Sequence, residues 1–323
     1  MMTHHRIKGT ELDVSRVCLG TMTFGGQVDE ALARRMVHQC LDQEINFFDT
    51  ANVYQAGASE VMLGKALRGR RSEAIIADKV RGKTGDGPDQ SGLSRAAIFR
   101  AVDESLARLQ TDYLDIYYLH QPDYSVPLDE TLEAMDRLVK AGKVRYPASS
   151  NYSSWQVNRM LWLAESRNTR PPLIAQQMYN LLARGIEQEF LPMAGEFGVS
   201  LIVYNPLAGG LLTGKHDPST IAPGTRFDRN EMYQQRYWHE RNFDAIERLK
   251  SIAEAEQRSL ISLSLNWLLY HTPTDCLILG ASGMEQLAQN LSACDEGPLS
   301  SGAVAACDEV WMDLRGPAPI YNR

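Results

Sequence analysis

This sequence is short of the features that mark several large classes of protein. Its five cysteines, Cys18, Cys40, Cys276, Cys294 and Cys307, form no CxxC pair and no zinc-like cluster. Neither a disulfide framework nor a metal centre is expected, and reduced thiols are. There is no excess of positive charge: the net charge is −7 and the pI about 5.6, which leaves no field to draw in nucleic acid or an anionic membrane. There is no long apolar run. The longest uncharged stretch, Ser259 to Thr274, contains Asn266 and His271, falls short of the roughly 20 residues of a membrane span and reads as a buried helix. The first residues carry His4, His5, Arg6 and Lys8 and lack the apolar core of a secretory signal. A cytoplasmic protein with no nucleic-acid or membrane partner is expected.

What is present points to one large α/β fold. The chain has 323 residues, 44% hydrophobic and 23% charged, enough for a single domain over residues 1–323 if the fold is an α/β barrel. Strand-like runs begin near Val17, Ile45, Ala74, Leu114, Lys143, Leu173, Ser200 and Cys276, at intervals of roughly thirty residues, the size of a βαβ unit. Most are rich in Ile, Val, Leu or Tyr without strict alternation, as strands covered on both faces are. Between them the apolar residues keep helical period, as in Ile98, Val102, Leu106 and Leu109, or Leu128, Leu132, Met135 and Val139. Asp29 and Ser94 stand where helices would start, and Ser153 with Gln156 makes a capping box. Eight β-then-α units without a linker predict a closed (β/α)8 TIM barrel. A doubly wound sheet is the alternative, but the turn after the first strand, Leu19 to Gly26, does not fit its G-x-G-x-x-G pattern. Two additions are expected besides extra C-terminal helices. Residues 1–13 read as a small hairpin under the barrel floor, and Ala208 to Trp238, after the seventh strand, is too long for an ordinary loop.

Four residues carry the chemistry. Asp49, Lys79 and His120 each end a strand-like run, and Tyr54 follows Asp49 in the next loop. In a barrel all four reach the C-terminal mouth, where active sites are built. A free phenol, with a pKa of about 10, is a poor acid at neutral pH. An ammonium beside it is expected to lower that value, a carboxylate keeps the ammonium charged and oriented, and a neutral imidazole can donate a hydrogen bond to a carbonyl oxygen. Such a set polarises a carbonyl and protonates the resulting alkoxide. It supplies no electrons, so a hydride donor must bind nearby. Ser282 with Glu285 predicts a capping box, hence a helix N-terminus suited to phosphate after the last strand.

These strings resemble the aldo-keto reductases over nearly the whole chain, in the bacterial-type branch related to potassium-channel β subunits. The likeness rests on Gly20–Gly26, Phe48–Tyr54, Thr111–Asp115 leading into Leu119-His120, Ser149–Tyr152, Tyr204–Leu207 leading to Leu211–Lys215, and Leu279–Ser282 with Gln286–Asn290, in that order. It implies NADP(H) bound in extended form, a carbonyl or alcohol as the small-molecule substrate, and cytoplasmic carbonyl reduction. Tyr54 would be the general acid, Lys79 and Asp49 its tuners, and His120 the group that orients the carbonyl. Ser150, Asn151 and Gln176 would hold the carboxamide, and Tyr204 would stack on the nicotinamide. Leu207, Gly209, Lys215 and Arg226 would line the pyrophosphate path. Gly280, Ser282, Gln286, Gln289 and Asn290 would hold the adenosine end. Thr21, Met22 and Gln27 complete the expected cofactor contacts.

The chain departs from the common pattern at Gly280 and Gln286, where many members have basic residues, which keeps NAD open beside NADP. Gln289 replaces a frequent glutamate. Asp78 precedes Lys79 where threonine is common and is expected to bring negative charge near the site. Two rivals stand beside the reductase. Lys79 could form a Schiff base as in an aldolase, or the chain could be a redox-sensing module that binds NADP(H) with little turnover. Substrate choice is expected to rest on Met22, Arg81, Gln121 and Trp238; physiological direction and oligomeric state are open.

Overall fold

In a computed structural model the protein is described over residues 3–318. A hairpin, β1 (His4–Arg6) and β2 (Asp13–Ser15), precedes the first barrel strand. The strands are β3 (Val17–Gly20), β4 (Phe47–Asp49), β5 (Ile75–Val80), β6 (Leu114–Leu119), β7 (Val144–Ser150), β8 (Ile174–Met178), β9 (Ser200–Tyr204) and β10 (Cys276–Gly280). They run parallel and close on themselves, β10 pairing with both β3 and β9. The helices are α1 (Glu30–Asp42), α2 (Ala58–Ala66), α3 (Arg95–Leu109), α4 (Leu128–Lys140), α5 (Ser154–Arg167), α6 (Phe190–Glu196), α7 (Glu231–Tyr237), α8 (Glu240–Ala255), α9 (Leu260–His271), α10 (Met284–Cys294) and α11 (Ser301–Arg315). This is the (β/α)8 barrel that the spacing of the strand runs predicts.

Period-2 alternation divides the strands between two cores. Cys18, Phe47, Ala77, Ile116, Tyr118, Ala148, Ile174, Ile202 and Cys276 fill the barrel interior. Their neighbours Val17, Phe48, Ile76, Tyr117, Ala175, Leu201 and Leu277 pack outward in the larger core shared with the helices. The hairpin adds Ile7, Leu12 and Val14 to the interior group and so plugs the floor, the role expected for residues 3–13 of the N-terminal segment; residues 1 and 2 lie outside the described range. Helix starts follow the polar residues that satisfy their free N–H groups. Asp29, Ser94, Ser259 and Ser300 each accept from the backbone of the first turn, and Ser153 with Gln156 forms the capping box. The uncharged stretch from Ser259 is α9, buried over most of its length. Among the described residues no helix is long and apolar enough to cross a membrane. All five cysteines are free and buried.

The expected box at Ser282 and Glu285 is not formed. The cap of α10 is Gly283, with no side-chain bond, and Ser282 stands one residue ahead of it. Gln286 folds back a turn instead, its Oε1 accepting from the Ser282 N–H at 2.8 Å and from the hydroxyl at 3.1 Å. The longer amide reaches the residue before the cap, which a box counted from Ser282 misses.

Candidate active site

Strand ends place three of the four expected residues. Asp49 closes β4, Lys79 is the penultimate residue of β5, and His120 follows β6. Tyr54 opens a tight turn, Tyr54–Gly57, in which Gln55 and Ala56 have φ of 49° and 53°. That turn is pinned from below, since the Ser59 hydroxyl donates to the Thr21 carbonyl at 2.8 Å and lies 3.0 Å from the Thr50 hydroxyl. The Lys79 ammonium donates to Asp49 Oδ1 and, at 2.8 Å, to the Thr50 carbonyl. It lies 5.1 Å from the centre of the Tyr54 ring. The Tyr54 and His120 rings meet edge to face at 6.1 Å.

Burial sets the electrostatics. It pulls the Lys79 ammonium down, but the Asp49 carboxylate and the Tyr54 oxygen outweigh it and hold the group above its ordinary range. Burial, helped by the cations Lys79 and Arg81, pushes His120 down to about 3, so its imidazole is neutral at any ordinary pH. For Tyr54 the expected effect of Lys79 is present but outweighed. Burial raises the phenol, Lys79 opposes that, Asp49 adds to it, and the result lies above the ordinary value. The lysine's charge is largely taken up by Asp49, so it does not offset the loss of water. Asp78, expected to bring negative charge near this site, adds to the hold on Lys79 but faces the other way. It packs between barrel and helices with Glu60 and Tyr117, because adjacent strand residues point to opposite faces.

The mouth opens into a cleft of about 440 Å³, within the range of small-molecule sites. Asn151 organises one wall. Its Nδ2 donates to the His120 carbonyl at 2.8 Å and its Oδ1 accepts from the Tyr204 hydroxyl at 2.7 Å. Gln176 Nε2 donates to Asp49 Oδ2 at 2.8 Å. The long segment after β9 forms the opposite wall and is strapped across the cleft. Gln27 donates to the Gly224 carbonyl at 3.0 Å, and the Arg226 guanidinium lies 3.1 Å from Met22 Sδ. Gly209 turns this segment at φ +70°, where a Cβ would meet the Tyr233 ring at 2.8 Å. Lys215 and Arg226 line the cleft, and neither has a carboxylate partner among the described residues.

The aldo/keto reductase family model matches residues 16–312, nearly the whole barrel and its helices. The chain belongs to the aldo/keto reductase family. It is 36% identical to an aflatoxin B1 aldehyde reductase member 2 of Rattus norvegicus, over 94% of this chain and 87% of that protein. It is 33% identical to a probable voltage-gated potassium channel subunit beta of Oryza sativa subsp. japonica, over 92% and 93% of the two chains. It is also 37% identical to an uncharacterized oxidoreductase, YrpG, of Bacillus subtilis (strain 168), over 88% and 89%.

In this aldo/keto reductase most of the residues singled out from the sequence share the cleft. Met22, Gln27, Ser150, Asn151, Gln176, Tyr204, Leu207, Gly209, Lys215, Arg226, Gly280, Ser282 and Gln286 line it together with Asp49, Tyr54 and His120. Lys79, fully buried behind Asp49 and Tyr54, and Thr21, Gln289 and Asn290 do not. Thr21 is fully buried, its hydroxyl donating to the Asp49 carbonyl at 3.0 Å. Gln289 is exposed on α10, and Asn290 is buried there with an unpartnered Nδ2. Of the expected specificity residues, Met22 and Gln121 line the cleft, and Arg81 lies in a neighbouring cleft. Trp238 is no pocket wall. Its indole packs on Phe227 at 4.9 Å and Phe243 at 5.1 Å, and its N–H donates to the Pro218 carbonyl, so it anchors the long segment. Sequence reasoning missed Met232, Tyr233 and Arg236 on α7, which also line the cleft. Asn230, which caps α7, and the Tyr233–Tyr237 spacing were the available signals.

Proposed function

We propose that this aldo/keto reductase is an NADP(H)-dependent carbonyl reductase working as one barrel domain in the cytoplasm, with NAD as the lesser cofactor. The observation that carries the reading is the buried Asp49–Lys79 pair set beside Tyr54 and a neutral His120 at the head of the cleft. The cleft suits the cofactor. Lys215 and Arg226 offer uncompensated positive charge for phosphates, and Tyr204 presents a ring held by Asn151. Ser150, Asn151 and Gln176 would hold the carboxamide; Leu207, Gly209, Lys215 and Arg226 the pyrophosphate; Gly280, Ser282, Gln286, Gln289 and Asn290 the adenosine end. When bound, the reduced nicotinamide supplies the hydride.

The protein's own part is proton transfer and orientation. His120, neutral, donates a hydrogen bond to the substrate oxygen and so aims it at Tyr54. Lys79 stays charged beside Tyr54, so the phenol can give its proton to the developing alkoxide and remain briefly as a phenolate. The long segment after β9, strapped to Gln27 and Met22, keeps water from the site. The relatives' names make aldehydes the first substrate class to try.

The test is NADPH and NADH consumption with a panel of aldehydes and ketones, wild type beside Tyr54→Phe. Turnover in the wild type should fall by about 10²–10⁴ in the variant, with NADPH binding near normal. Equal turnover in both would remove Tyr54 from the mechanism. The potassium-channel relative supports a second reading, a redox-sensing module. Tight NADPH binding with no turnover on any carbonyl would favour it.

A further inference from the structure

We infer that Gln176 is a positioning residue for the acid–base pair: it holds Asp49 from across the barrel, so that the carboxylate presents its other oxygen to Lys79. β4 and β8 stand opposite each other in the eight-strand ring. Asp49 takes Lys79 from the adjoining β5 and Gln176 from the far side, at 2.8 Å. Both Asp49 and Gln176 are about 3% exposed, so water has little access to this bond. A carboxylate oxygen only accepts, so the amide must turn its Nε2 toward Asp49. The fully buried Tyr118 hydroxyl on β6 neighbours the same amide. The residue proposed to hold the carboxamide is thereby the one that orients the carboxylate, and cofactor seating and acid–base geometry meet in one side chain.

The consequence is a graded hold on the lysine. A hydrogen bond from Gln176 spreads the Asp49 charge toward Oδ2 and moderates its pull on Lys79. Loss of the bond would leave the charge concentrated on Lys79, which then does less for Tyr54. The groups facing Asp49 from the surrounding elements are Lys79 on β5, Tyr54 on the turn, Cys18 on β3, Tyr118 on β6 and Cys276 on β10. Of these, only Lys79 carries a charge at neutral pH, and Gln176 is the neutral donor set against it.

The test uses Gln176→Met, which keeps the bulk and removes the donor, and Gln176→Glu, which restores a donor only while protonated. The readout is the Asp49 carboxyl carbon, followed by ¹³C NMR against pH in the protein alone and assigned with Asp49→Asn. In Gln176→Met the Asp49 carboxyl should take up its proton at a pH higher by about one unit or more. In Gln176→Glu two carboxyls share one proton, so the wild-type carboxylate signal persists at acid pH and changes as that proton leaves. The kinetic half rests on the proposed reductase reading. The kcat should fall about tenfold in Gln176→Met while the carbonyl KM changes little, and Gln176→Glu should recover at acid pH. An Asp49 resonance that behaves identically in all three proteins overturns the inference, whatever happens to NADPH binding. A wild type without turnover, in contrast, sinks the reductase reading and leaves the resonance to decide this one.

Discussion

Lys79 and Asp78 are neighbours on one strand, both fully buried, and their surroundings have almost nothing in common. Lys79 looks into the barrel mouth, where Asp49 and the Thr50 carbonyl satisfy its ammonium and Tyr54 lies alongside. Asp78 looks out into the layer under α2 and α3. There the fully buried Glu60 is held by the Arg108 guanidinium at 2.6 Å, and Asp78 itself has no hydrogen-bond partner in bonding geometry. The inner group is compensated and borders a cleft, whereas the outer pair of acids shares one cation and is fully enclosed among the described residues. Burial of a charge is therefore a poor guide to function by itself; what separates the two is whether the compensated charge faces open space.

The harshest way to break this contrast is Lys79→Met. It leaves Asp49 as an uncompensated buried carboxylate, which costs about 3–5 kcal/mol, and it removes the charge beside Tyr54. Chemical denaturation should show the loss of stability, and turnover should vanish with it. An inactive variant of unchanged stability would mean that the pair is not held as tightly as its contacts indicate. Next in size is Arg108→Leu on the outer side. It orphans Glu60 at a cost of about 3 kcal/mol. Arg108 lies against Gly57 at the far end of the Tyr54 turn but does not line the cleft, so kcat and NADPH affinity at a temperature well below melting should stay near wild type. A large drop in kcat without unfolding would show that the outer layer controls the mouth.

The same contrast explains what could and could not be read from the chain. Asp49, Lys79 and His120 were legible because a strand delivers its last polar residue to a predictable place. The capped helices were legible because Asp29, Ser94 and Ser153 act on their own first turn. Asp78 faces away from Lys79, as period-2 alternation requires, yet its charge still reaches the lysine, so only its direction was hidden in the sequence. At the Tyr54 phenol the expected effect of Lys79 is present but outweighed. The sequence shows which charges are adjacent but not how deeply they are buried, and burial has the larger effect here. Trp238, Met232, Tyr233 and Arg236 depend on the path of the segment after β9; the Asn230 cap and the Tyr233–Tyr237 spacing signal the short helix but not where a glycine turn folds it.

The smallest expected effect is also the sharpest on the comparison. Burial pushes the Asp78 carboxyl well above its ordinary 3.8, and the Glu60 carboxylate pushes it the same way, while the Lys79 amide and the Ser105 hydroxyl only ease the cost. A group whose folded value is raised binds its proton more tightly in the native state. Its contribution to stability is therefore fully present below about pH 4 and is lost as the pH rises toward the folded value. Asp78→Asn keeps the shape and removes the charge, so the variant should gain on the wild type as the pH is raised from 4 to 8, reaching about 1 kcal/mol or more. Denaturation midpoints of the two proteins across that range measure it directly. A pH-independent difference, or a variant less stable throughout, would mean that Asp78 is ionised and paired. The outer layer would then be compensated in the same manner as the mouth, and open space alone would remain to tell the two apart.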